Sequence, residues 1–168
     1  MINHLKTTTC ALTLGLLTAL SSTQLFANQA KHIEVSDPFT REMPPGSPAT
    51  ASFMTLKNSS DHDIKLVKAS TQISKKAELH THTNDNGMMQ MREVPFFEIP
   101  AHGQTQLQPG GNHIMLISPI QPIQAGKTVS VMLTFEDGSS KNITMPVKSV
   151  MNTGMKNGNH NNHSHHHH

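Results

Sequence analysis

The chain has 168 residues, with 13 Lys and Arg residues against 11 Asp and Glu residues. This length suffices for one domain, and the formal net charge of +2 argues against a nucleic acid or an acidic membrane surface as the main partner. The single cysteine, Cys10, lies in a predicted leader, so the rest of the chain has no disulfide, thiolate metal site or cysteine nucleophile.

Residues 1–27 have the pattern of a secretory signal peptide. Lys6 supplies a basic start, "CALTLGLLTAL" is the apolar run, and "SSTQLFA" is a cleavage region that ends at Ala27. The apolar run is too short to favour a transmembrane helix. Cys10 precedes this run, whereas a lipoprotein cysteine would follow it. We therefore expect a periplasmic protein that has no lipid anchor and does not insert into the membrane after cleavage.

Residues 28–149 are predicted to form one all-β domain. Short apolar or alternating runs are separated by turn signals such as "PPGSP", "NDNG", "PGG" and "EDGSS", and no apolar helical period extends over ten residues or more. Spacing of this kind favours an antiparallel sandwich or barrel, with "FEDGSSKN" as a hairpin. The predicted strands are 32–40, 50–58, 64–70, 76–82, 88–94, 105–108, 112–118, 128–136 and 141–149.

Residues 150–168, "VMNTGMKNGNHNNHSHHHH", form a His/Met-rich segment that we expect to be a flexible, disordered tail, because it has too little apolar surface to order itself. The segment is either natural or in part a purification tag. As a natural tail it would bind Cu(II), or Zn(II), because imidazole-rich tracts suit these ions. Its candidate ligands are Met151, Met155, His160, His163, His165, His166, His167 and His168.

No catalytic motif is present: the chain lacks GxSxG, HExxH, a P-loop and a Gly-rich dinucleotide fingerprint. Asp61, His62 and Asp63 are predicted to lie in a solvated loop, and His102 in a turn. We therefore expect no enzymatic activity.

The ratio of residue types is the strongest signal. Without Met1 and His4, the 11 Met and 13 His of the chain become ten and twelve, yet there is no Trp or Tyr. Alternation in three predicted strands places a His or Met opposite the core-facing apolar residues, on a face that we expect to be open to solvent. A lone Met is usually core and a lone exposed His is usually inert, but the joint pattern favours a metal site. These residues are His80, Met89, Met91, His113 and Met115.

The spacing of four of these residues resembles the His/Met motif of the PCu(A)C family of periplasmic copper(I) chaperones. Ten residues separate His80 from Met91, twenty-one separate Met91 from His113, and one separates His113 from Met115. The flanking sequences "REMPPG", "ELH", "MQMREV" and "PGGNHIML" are also similar, and the resemblance covers roughly residues 31–148. The chain departs from the family at His82, where a Met is frequent, and at Phe53, where an aromatic residue with a hydroxyl is frequent.

The resemblance implies a cupredoxin-like β-sandwich with a Cu(I) site at one end. Its ligands would be His80, Met91, His113 and Met115, with Met89 as a further candidate and with His82 either joining or replacing His80. Soft thioethers suit Cu(I) and imidazole also suits copper. The resemblance further implies that the protein delivers copper to a cytochrome oxidase subunit, directly or through another chaperone. We expect a monomer.

Two alternatives remain at this point. One is a copper sequestration or resistance protein that does not deliver its metal. The other is a β-sandwich interaction module whose Met residues belong to the core.

Overall fold

The computed structural model describes residues 28–149 as one short helix and ten strands. The predicted signal peptide, 1–27, and the predicted tail, 150–168, lie outside the described residues. None of the helical residues within 28–149 forms a segment with the length and apolar character of a transmembrane span. The elements are α1 (Gln29–His32), β1 (Ile33–Arg41), β2 (Ala49–Asn58), β3 (Ile64–Ser70), β4 (Ser74–Asp85), β5 (Met88–Glu93), β6 (Phe97–Ile99), β7 (Gln104–Leu107), β8 (His113–Pro119), β9 (Thr128–Phe135) and β10 (Ser140–Lys148).

All nine predicted strands are present, but the sequence prediction missed β6 and α1. Strand β6 has only three residues, and Pro95 and Pro100 flank it, so the segment resembles a break between strands. Helix α1 has four residues, too few for an apolar period. The predicted β9–β10 hairpin is confirmed. The free backbone amides of α1 bind its turn: Gln29 N donates to Asp137 Oδ2 at 2.8 Å, and Ala30 N donates to Ser139 Oγ at 3.0 Å.

The strands form the two layers of an all-β sandwich, which confirms the predicted fold class. One layer has the order β5-β4-β8-β2-β1, and the other has the order β10-β9-β3-β6. In the first layer, β8 pairs with residues 49–52 of β2, and β7 pairs with residues 54–57 of the same edge of β2. Neighbouring strands are antiparallel except β1 and β10, which run parallel where Thr40 pairs with Val147 and Arg41 with Lys148. This parallel pair joins the two layers along one side.

The hydrophobic core lies between the layers. The first layer contributes Leu79, Ile114 and Leu116, all at most 4% exposed, as the alternation predicts. The second layer contributes, among others, Leu66, Val131, Leu133, Phe135 and Met145. Because side chains alternate along a strand, the neighbours of Leu79, Ile114 and Leu116 face away from this core.

A tight turn sets the register of β4 against β5. Asn86 and Gly87 both have positive φ, 51° and 87°, as a two-residue hairpin turn of the type I′ class requires. The resulting register places Met91 directly opposite His82. Since opposite residues of adjacent strands share a face, this turn assigns Met91 to the outer face of the first layer.

Candidate metal centre

Three adjacent strands, β5, β4 and β8, carry the predicted metal ligands on the outer face of the first layer. His80 pairs with His113 across β4 and β8, and His82 pairs with Met91 across β4 and β5. Met115 lies two residues beyond His113 on the same face. The structure therefore brings together all four residues of the predicted motif, together with His82.

A cavity of about 340 Å³ opens on this face. Four of its lining side chains carry imidazole or thioether donors: His82, Met91, His113 and Met115. His80 is not part of this lining and lies beside it, with its ring centroid 5.8 Å from that of His113. The remaining wall consists of Arg41, Glu42, Pro44, Ala49, Thr50, Ala51, Phe53, Pro109 and Gly110.

His113 faces away from the core as predicted, but the expectation that it is open to solvent is wrong. It is only 2% exposed, because the rings of Phe53, His80 and His82 surround it at centroid distances of 5.3–6.3 Å. Burial lowers the pKa of His113 below its usual value. The hydrogen bond to Gly111 raises this pKa, whereas the electrostatic effects of His82, His80 and Arg41 lower it, and the net shift is downward. The site thus favours the neutral ring, which is the form that binds metal.

The "PGG" turn orients this ring. Gly110 has a φ of +79°, and Gly111 N donates to Gln108 O at 3.0 Å. The carbonyl of Gly111 then accepts a hydrogen bond from Nδ1 of His113 at 2.9 Å. With Nδ1 protonated, the neutral ring keeps its lone pair on Nε2.

His80 is oriented by a carboxylate that the sequence analysis did not single out. Nε2 of His80 lies 3.0 Å from Oε2 of Glu78, so the neutral ring carries its proton on Nε2 and its lone pair on Nδ1. This Nδ1 is buried and has no hydrogen-bond partner. A carboxylate that fixes the distal nitrogen of an imidazole is the usual support of a metal-binding histidine. The i, i+2 spacing in "ELH" places Glu78 and His80 on one face and could have indicated this contact.

His82 stands closer to the cavity than His80. Its ring centroid is 5.3 Å from that of His113, and its Nδ1 lies 3.4 Å from the carbonyl of Gly111. His80 is therefore the imidazole with an unpartnered nitrogen, and His82 is the imidazole that lines the open space. Both stand next to His113 on the same face.

The thioethers stand at the edge of the site. Met91 is 45% exposed on the edge strand β5, and Met115 is half-buried on β8. Neither belongs to the hydrophobic core, contrary to what the interaction-module alternative requires. Met89 also faces this side but pairs with Asn84, is 61% exposed and does not line the cavity.

An aromatic layer supports the cavity floor. Phe53 is 3% exposed, although it lies outside the core between the layers, and it contacts Phe39 at a centroid distance of 5.1 Å. The guanidinium of Arg41 lies 5.4 Å from the Phe53 ring centroid. Packing and the cation–π contact hold the Phe53 ring in the cavity wall. The aromatic hydroxyl that is frequent at this position in the PCu(A)C family is therefore not needed to hold the ring.

Within residues 28–149, no three His, Cys, Asp or Glu side chains are arranged to hold a metal ion. A metal ion on this face would therefore require the thioethers as well as the imidazoles. Thioethers favour soft ions such as Cu(I) over harder divalent ions.

The other polar cluster considered in the sequence is structural. His102 Nε2 lies 2.7 Å from Asp61 Oδ1, and Asp63 Oδ1 accepts a hydrogen bond from Ala101 N at 2.8 Å. These contacts join two surface turns at a distance from the cavity in the fold. The loop and turn predictions for Asp61, Asp63 and His102 are confirmed.

Comparison with known proteins identifies the family and the fold of the chain. The family model described as "Putative lipoprotein LpqE-like" matches residues 33–147. A protein of Leifsonia xyli subsp. xyli named "Putative lipoprotein" is 35% identical over 147 residues, which are 84% of this chain and 87% of that protein. The solution structure of the Cu(I) form of DR1885 from Deinococcus radiodurans is 35% identical, covers 76% of this chain and 85% of its own, and has a TM-score of 0.59. The copper-bound PCuAC domain of PmoF2, at 19% identity, covers 70% of this chain and 93% of its own with a TM-score of 0.60, and so shows the same fold.

The lowered pKa of His113 predicts a pH-dependent stability of the metal-free protein. Unfolding returns the ring to a pKa near 6.5, so below that pH the unfolded chain binds more protons than the folded chain. The free energy of unfolding should be fully retained above pH 6.5 and should fall as the pH drops through the lower folded-state pKa. Urea unfolding in the presence of EDTA at several pH values measures this fall. It should be smaller in His113→Gln and unchanged in His102→Gln, and an equal fall in all three proteins would contradict the assignment.

Proposed function

The chain belongs to the LpqE-like family of PCu(A)C-type domains, and from this premise we propose that it is a copper(I) chaperone of the cell envelope. The observation that carries the proposal is the convergence of two thioethers and neighbouring imidazoles on one cavity. The 35% identical Deinococcus protein, whose structure was solved in a Cu(I) form, supports the choice of metal.

The proposed ligands of the Cu(I) ion are Met91, His113, Met115 and an imidazole of β4. His80 has the better support from its surroundings, because Glu78 fixes its Nε2 and leaves its buried Nδ1 without a partner. His82 has the better access, because it lines the cavity. We propose that His80 is the resident ligand and that His82 joins the site when copper enters or leaves.

A neutral set of donors suits a cargo rather than a resident ion. Thioether and neutral imidazole bring no negative charge, so the site is not held together by strong charge attraction. One ligand, Met91, is 45% exposed on an edge strand, where a partner can approach the metal. Blue-copper electron transfer uses a Cys ligand, which the predicted mature chain does not have.

Delivery completes the proposed role. We propose that the protein is exported through residues 1–27, acts in the periplasm without enzymatic activity, and passes copper to a cytochrome oxidase subunit directly or through another chaperone. The His-rich residues of 150–168 would capture Cu(II). We propose no lipid anchor, because Cys10 precedes the apolar run of the predicted signal peptide.

Titration of the protein lacking residues 150–168 with Cu(I), in competition with a chromogenic chelator, should show one bound ion per chain. The double variant Met91→Ala/Met115→Ala should lose at least about tenfold in affinity, because two soft ligands disappear while the core is untouched. Met132→Ala is a matched control, since Met132 is also 45% exposed on a strand but does not line the cavity. Full affinity in the double variant, or X-ray absorption that shows only nitrogen ligands, would overturn the proposed site.

Deletion of residues 156–168 should remove most Cu(II) binding and leave the Cu(I) affinity of the cavity intact. Because imidazole must be deprotonated to bind metal, Cu(II) binding should weaken steeply as the pH falls through about 6.5. Equilibrium dialysis measures both effects, and a chain of equal length with Asn at the six His positions of this segment is the control for chain length. Unchanged Cu(II) capacity in either variant would exclude the tail as a metal site.

Transfer of copper to an oxidase copper domain distinguishes a chaperone from a copper sequestration protein. The Cu(I)-loaded protein should pass its metal to the metal-free soluble domain of a cytochrome oxidase subunit faster when the two proteins are mixed than when a dialysis membrane separates them. Direct contact allows ligand exchange, whereas the membrane allows only release into solution. Equal rates would favour the sequestration alternative, and Cu(I) binding itself would still stand.

A further inference from the structure

Arg41 places a positive charge in the cavity wall. It is the last residue of β1, its backbone pairs with Lys148, and its carbonyl accepts a hydrogen bond from Thr50 Oγ1 at 2.7 Å. Its guanidinium lies 5.4 Å from the ring centroid of Phe53, which in turn contacts His113. The guanidinium therefore lies in the cavity wall, against the ring that contacts the proposed ligand His113.

The guanidinium lacks an acceptor on its buried side. Nε of Arg41 is buried and has no hydrogen-bond partner. Glu42 also lines the cavity, yet no carboxylate of the described residues forms an ion pair with Arg41. Because the guanidinium lines the cavity without a carboxylate partner, an anion that enters the cavity gains from its charge.

Metal binding would increase the need for an anion. The proposed ligands are neutral, so a bound Cu(I) ion keeps its full positive charge next to Arg41. Two neighbouring positive charges repel each other in a partly desolvated cavity. A negatively charged group in the cavity relieves this repulsion. Among anionic donors, the thiolate is the one that a soft ion such as Cu(I) prefers.

We propose that Arg41 makes this cavity a binding site for a cysteine thiolate of the protein that exchanges copper with this chain. The inference rests on the proposed function, because it concerns how the bound Cu(I) is exchanged. A Cu–S bond to the thiolate forms while a bond to a neutral thioether of this chain breaks. Copper stays Cu(I) throughout, so no electrons are transferred, and the partner's thiol loses its proton to solvent before the exchange. Arg41 favours the ionised thiol and acts as a positioning residue.

The test measures the rate of Cu(I) transfer from the loaded protein to two acceptors. One is a short Cys-x-x-Cys peptide, whose copper–thiolate absorption is visible in the near ultraviolet because the chain has no Trp or Tyr. The other is the uncharged chelator 2,9-dimethyl-1,10-phenanthroline. Arg41→Gln should slow transfer to the peptide by about tenfold, the lower range for electrostatic steering, while Arg41→Lys should restore most of the rate. Transfer to the uncharged chelator should stay within about twofold in all variants.

Lys148→Gln is the matched control. Lys148 pairs with Arg41 in the sheet and carries the same charge, but its ammonium lies over Phe39, 4.6 Å from the ring centroid, and it does not line the cavity. This variant should transfer copper to both acceptors at the rate of the unmodified protein. If Arg41→Gln does not fold, added salt should slow peptide transfer from the unmodified protein and leave chelator transfer unchanged.

The possible outcomes separate the inference from the proposed function. If the protein binds Cu(I) but Arg41→Gln transfers it to the peptide at the unmodified rate, the inference is wrong and the function stands. Equal slowing with both acceptors would show a packing role for Arg41 and would also overturn the inference. A protein that binds no Cu(I) would overturn both.

Discussion

The pairing of β4 with β8 is the interaction on which the rest of the site depends. It places His80 opposite His113 and, through the alternation of side chains, turns Leu79 and Ile114 into the core. A shift of one residue in this register would exchange the two faces and bury the imidazoles in the core. The hydrophobic core therefore holds the proposed ligands in place from the opposite face, because the same strands supply both faces.

Sequence patterns predicted the strands and the facing of the candidate ligands well. The alternation around Leu79, Ile114 and Leu116 sufficed, since period-two patterning has one consistent orientation against a core. The choice of a metal site over an inert surface followed from the joint occurrence of His and Met. Copper itself rested on the family resemblance, which the comparisons confirm at the level of the family and the fold.

Other features of the site could not be predicted because they depend on which surfaces meet in three dimensions. The burial of His113 results from rings on β4 and β2, and alternation gives only the facing of a side chain and not its cover. The place of Arg41 in the cavity wall depends on the bulged pairing of β1 with β2, in which the register shifts between Ser36 and Phe39. Strand β6 was missed because the prolines on both sides of it are typical of a loop.

The two facing histidines of the β4–β8 pair are 33 positions apart in the chain (113 minus 80). No short segment contains the site, so it exists only while distant parts of the sheet remain paired. A ligand that binds the folded form alone shifts the folding equilibrium towards that form. Unfolding would consequently release the bound copper, so a damaged molecule would lose its copper before it could deliver it.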